Sequence, residues 1–202
     1  TNYNQDIKTR YYKSGTESNA RFSWQNGTFL NGEFYKSDWE NGVFNGGKFY
    51  YSKFYNGVFN NGVIGDKSIP IDDTWFYNGT INYAVVENSK IVSQKYNGIS
   101  NSVITWNNGI FNSGVFGRTA NNMANTTTWS YGIFNGGEFR DRTKWKDGIF
   151  NGGKFLSTYG WTQSDSSNKL DYGWEYGIFN GGEFGNANTT TNSTWFDGEF
   201  NG

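Results

Sequence analysis

The chain has 202 residues, with 17 basic and 18 acidic side chains and a formal charge of −1. That length suits one domain or a segment of a longer array, and near-neutrality leaves neither the footprint of a phosphate-backbone binder nor a basic face for an anionic membrane. The absence of Cys and His excludes a disulfide framework, thiol nucleophiles, thiolate metal sites and the commonest general base, and no apolar run approaches the ~20 residues that span a bilayer. Residues 1–23 read as a lead-in that caps the first coil or joins it to an upstream domain. Thr1 in first place and a last block that stops partway through a pattern predict a fragment or a processed product.

From Trp24 onward a large apolar residue returns every fifth position: Trp24, Phe29, Phe34, Trp39, Phe44, Phe49, Phe54, Phe59, Ile64. The phase breaks near 65–75, around the single proline, Pro70. It resumes at Phe76, Ile81, Val86 and Ile91, and runs through Tyr96 and Asn101 to Trp106, Phe111 and Phe116. Later copies come as triplets, Trp129/Phe134/Phe139, Trp145/Phe150/Phe155 and Trp174/Phe179/Phe184, with a short last one at Trp195/Phe200. Breaks near 117–128, 156–173 and 185–194 separate them, and 94–104 is the least regular stretch within the phase. Two positions before most of these anchors stands Gly, or else a small residue such as Ser37, Ser52, Thr74, Ala84 or Ser89.

A period of five suits neither a helix nor a simple amphipathic strand. It suits a coil whose short sides each point one bulky and one small group inward, with Asn-Gly supplying positive φ at the corners. Trp24, Trp39 and Phe54 lie 15 apart, as do Phe76, Ile91 and Trp106. The expected fold for 24–202 is therefore all-β: a parallel β-solenoid of about 15 residues per coil, with insertions after the third anchor at one solvent-facing corner. Three sides per coil are preferred, because like anchors then stack on like; four stay open.

These pentads resemble the pentapeptide-repeat family, in which a central Phe or Leu follows a small residue by two. Gly at most small positions, Trp in the centre and a cycle of 15 rather than 20 depart from that pattern. Tyr55-Asn56-Gly57-Val58-Phe59-Asn60-Asn61-Gly62 is similar to a MORN repeat, the second choice, whose cycle of about 23 is not sustained. Arrays of the Trp-x-Asn-Gly-x-Phe-Asn-Gly-Gly-x-Phe kind also resemble bacteriophage virion proteins of tail fibres and appendages. That likeness implies a structural role, an extracellular or virion location, and partners among other structural proteins, copies of the chain itself, or a host surface glycan.

The residues just before the anchors should face outward. Val43, Val58, Ile110, Ile133, Ile149 and Ile178 make a β-branched stripe, read either as strand propensity or as a protein interface. Glu33, Lys48, Glu138, Lys154 and Glu183 alternate in sign, as in-register stacking requires. Gly46-Gly47-Lys48 and Gly152-Gly153-Lys154 lack the helix of a phosphate loop. Asp72-Asp73 reads as a turn rather than a Ca²⁺ site, and Asp165 and Asp171 as surface acids rather than a glycosidase pair. The Asn-x-Thr/Ser triplets follow from the Asn excess. Thr126-Thr127-Thr128 and Thr189-Thr190-Thr191 fall in insertions, which argues against a flat threonine face. No catalytic residue, cofactor, metal, nucleic-acid partner or membrane insertion is expected.

The leading expectation is thus a rigid rod or spacer in an extracellular assembly. A rival is a glycan- or receptor-binding adhesin module using Tyr159, Trp161, Gln163 and Tyr172 of the longest insertion. A third is a polysaccharide depolymerase.

Overall fold

The computed structural model describes residues 22–68, 74–93, 103–118, 126–140, 143–156, 173–185 and 197–202. Among them every regular element is a strand of two to five residues, and all pair in parallel into three sheets of nine, eight and nine strands. Each sheet takes every third strand, except at the end, where Glu199–Phe200 pairs with Ile178–Phe179 two strands earlier. The coil therefore has three sides: side one begins with Phe22–Trp24, side two with Thr28–Phe29, side three with Glu33–Tyr35. The all-β parallel solenoid read from the period of five is the fold observed, and three sides replace the open choice between three and four. Nine coils at ~4.8 Å each give a stack about 40 Å tall.

The anchors fill the centre. Phe29 through Phe179 have no exposed surface at the anchor positions of the core cluster. Rings of one side lie face to face along the axis, as in Trp24–Trp39 at 5.1 Å and Phe134–Phe150 at 4.8 Å, with planes 5° and 6° apart. Rings of adjacent sides meet edge to face, as in Trp129–Phe134 at 6.0 Å and 74°. Both arrangements suit the aromatic quadrupole. Each buried ring removes some 150–250 Å² from water, about 4–6 kcal/mol before entropy. Midway an aliphatic belt of Ile64, Ile81, Val86 and Ile91, equally buried, interrupts the ring stacks.

The role of the glycines differs from the expectation of inward room for a ring. Gly153 has φ +99°, and a Cβ built there would lie 2.5 Å from the carbonyl oxygen of Gly137 in the preceding coil. That same oxygen accepts the Lys154 N–H at 2.8 Å. The missing side chain thus lets backbones close along the axis. It is the Ser and Thr occupants that lie inside: Ser37, Ser52, Thr74 and Thr143 are fully buried.

A second correction concerns Trp106. Phe76 does pair with Ile91, but Ile91 pairs with Phe116, 25 residues on. Trp106 belongs to side two, between Ile81 and Trp129. Tyr96 and Asn101, expected as anchors, lie outside the described residues, between a strand of side one and the next of side two. The chain leaves side one at Ser93 and re-enters at side two, where an open strand edge must be paired, whichever part of the motif comes next. The 15-residue motif consequently turns by one side: its Trp stands on side one at Trp24 and Trp39, and on side two from Trp106 to Trp174. Insertions keep their place after the third anchor of the motif and so change corner. The stretch after Gly65 leads from side three to side one, whereas those after Ser93, Arg118, Arg140 and Leu156 lead from side one to side two. The single-corner expectation holds only from Ser93 on.

Candidate interaction surfaces

Each side presents outward one column of residues, those immediately before the anchors, and in-register pairing decides which of them touch. Side one carries Asp38, Lys53, Trp75, Lys90, Val115, Glu138, Lys154 and Glu183 in that order. The Lys90 ammonium sits 4.2 Å from the Trp75 ring centre, and Lys154 reaches Glu183 at 3.7 Å. Alternation of sign at 138, 154 and 183 is therefore real adjacency, as stacking in register demanded. Glu33 and Lys48 are likewise neighbours, but on side three.

The predicted β-branched stripe splits. Val43 and Val58 stand on side two with Thr28, Thr80, Thr105 and Thr128. Ile110, Ile133, Ile149 and Ile178 stand on side three, where Val63 and Val85 continue them without a gap. All six are half-buried. Val63 and Val85 precede third anchors of the motif, where the outward residue is charged in the first coils, as at Glu33 and Lys48, and only the stacking sets them in line with Ile110. The run Thr126-Thr127-Thr128, expected in an insertion, lies in the strand Thr126–Trp129. Thr127 turns inward and donates to the Gly117 carbonyl at 3.1 Å, while Thr128 joins the outer column of side two. The expected glycan contacts Tyr159, Trp161, Gln163 and Tyr172 lie outside the described residues, as do Asp72, Asp73, Asp165, Asp171 and Thr189-Thr190-Thr191.

The corners are laced by amide ladders. Asn45, Asn60, Asn82 and Asn107 form one between sides two and three, the side-chain N–H of the last three donating to the amide oxygen one coil before at 2.6–2.8 Å. Between sides three and one, Asn112, Asn135, Asn151, Asn180 and Asn201 continue from Glu87 at 2.8–3.1 Å. The ladder changes corner as the motif does. Asp66, where the first insertion starts, accepts from Lys48 and from the Ser68 N–H and hydroxyl at 2.9 and 2.6 Å. The Lys48 ammonium, followed by the Ser68 donors, holds its carboxyl at about 2, below the usual range.

Exposed aromatics gather near side three. Tyr131 and Tyr176, 53% and 55% exposed, occupy the corner that precedes it. Among the described residues, no three His, Cys, Asp or Glu side chains gather where they would hold a metal ion. Comparison of the chain with protein-family models, with curated proteins and with solved structures finds no match.

Proposed function

We propose that the chain is a structural rod or spacer of an extracellular assembly, without catalysis, and that a fibre or appendage of a bacteriophage particle is the best such assembly. The observation that carries this reading is the buried column from Trp24 to Phe179, enclosed by three sheets in one continuous register. Inter-coil hydrogen bonds and ring stacks both run along the axis, so bending the stack opens many contacts together. Stacked coils of this kind extend by repetition, each contacting only its neighbours. The phage assignment leans on the resemblance of the Asn/Gly/aromatic motif to virion appendage proteins.

The test is antibody labelling of particles from the source, viewed by electron microscopy. Label confined to a fibre or appendage is the expected result; label on no extracellular assembly overturns it. Glycan-array binding that disappears in Trp161→Ala would move the reading to the adhesin.

A further inference from the structure

We propose that two copies of this chain pair face to face through side three, antiparallel, about a two-fold axis between Ile110 and Ile133. The column Val63, Val85, Ile110, Ile133, Ile149, Ile178 is the longest uncharged aliphatic run on any side among the described residues. Side one is charged along most of its length, and on side two Val43 and Val58 stand alone among Thr28, Thr80, Thr105, Thr128 and Lys144. Six β-branched side chains at ~4.8 Å spacing make an apolar strip about 24 Å long, flanked by exposed Tyr131 and Tyr176.

A second copy fits this strip because the strip is its own complement under that axis. Val63 then faces Ile178, Val85 faces Ile149 and Ile110 faces Ile133. The residues beyond the two ends of the strip decide the direction. Lys48 adjoins Val63 at one end and Glu199 adjoins Ile178 at the other. The two-fold sets Lys48 of each copy opposite Glu199 of the other, and does so twice. A parallel pair would instead set Lys48 on Lys48 and Glu199 on Glu199. It would also align the last coils, where 173–202 hold four acidic side chains and no basic one, with themselves. In the antiparallel pair those coils face 22–68, where four basic side chains balance four acidic ones. Lys48 already holds Asp66, yet an ammonium has three donors and can bridge two carboxylates.

The face measures about 40 Å by about 15 Å, so the pair buries on the order of 1,200 Å², the lower edge of specific interfaces, where weak and reversible pairs are found. The pairing rests on the rod reading only in needing the in-register stack.

The experiment uses the full chain, whose lack of Cys gives a clean background. Sedimentation should show a monomer–dimer equilibrium in the micromolar range, abolished by Ile133→Lys at unchanged melting temperature. Val63→Cys with Ile178→Cys in one chain should yield disulfide-linked dimers on mild oxidation, and Val63→Cys alone should not. Glu199→Lys should weaken association at least about tenfold, and Lys48→Glu added to it should restore affinity. A monomer at every concentration, cross-linking by Val63→Cys alone, or indifference to Ile133→Lys overturns the proposal. A rod that labels a fibre yet stays monomeric would sink the pairing and leave the rod intact.

Discussion

The first coils and the last are built from the same motif turned by one side, and they close their corners differently. In the first coils the corner between sides three and one is made with serine. Lys36 and Tyr51 take positive φ, and Ser37 and Ser52 donate to the carbonyls two residues back at 2.9 Å. The Ser52 oxygen also accepts the Ser37 N–H, so consecutive coils are joined through buried hydroxyls. In the last coils the same corner is Asn-Gly-Gly: the amide ladder outside replaces the hydroxyl inside, and the second glycine closes the backbones. The tryptophans differ too. Trp106, Trp145 and Trp174 on side two donate their indole N–H to the carbonyls of Tyr131, Tyr176 and Asp197 one coil on. Trp39, on side one, is fully buried with no partner for its Nε1. Side two thus brings a corner carbonyl within reach of three of its four described tryptophans, Trp129 being the exception, and side one does not do so for Trp39.

The largest expected effect separates axial closure from conformational strain. Gly153→Ala meets both a positive φ and the Gly137 carbonyl, and should destabilise by more than about 3 kcal/mol in denaturant unfolding. Gly27→Ala, in the first coil, has φ +125° but only the Trp24 ring at 3.5 Å near its new Cβ. It should cost about 1–2 kcal/mol, the strain alone. Equal losses would mean that axial closure contributes nothing.

A smaller contrast concerns the indoles. Trp145→Phe removes a hydrogen bond and leaves the Tyr176 carbonyl short of a donor, whereas Trp39→Phe removes a buried donor that has no acceptor. Both lose similar ring area, so Trp145→Phe should be the costlier by about 2 kcal/mol. Thermal scans of both variants in one buffer check this.

The smallest effect is electrostatic and belongs to the first coils. Asp66 is held at about 2 when folded, against about 4 in an unfolded chain. A lowered carboxylate pKa contributes stability that is complete above about pH 4 and is lost as pH falls through about 2. Lys48→Ala should flatten the acid limb of the stability profile over that window, and an unchanged limb would place the acid sensitivity elsewhere.

Much of this was legible in one dimension. The return of Trp, Phe and Ile at every fifth place gives the short strand, because one bulky side chain per side is what a narrow parallel coil buries. Asn-Gly before the anchors marks the corners, and every glycine two before a described anchor does take positive φ. The outward columns were less legible. Ile110 and Val43 occupy the same place in the motif but stand on different sides, since their side depends on where the chain re-enters after the 94–102 connection. Glycine's reason was misread for a related cause: composition cannot say whether a missing Cβ faces the lumen or the coil before it.

By itself the sequence determined the period, the buried rings and the positive-φ corners, all of which are local choices made within five residues. Only the tertiary structure decided that Trp106 rests on Ile81, that Val63 extends the column of Ile110, and that insertions change corner. Those follow from the requirement that each arriving strand satisfy the open N–H and C=O groups of the coil beneath, and that edge is assembled from residues 15 to 29 positions away.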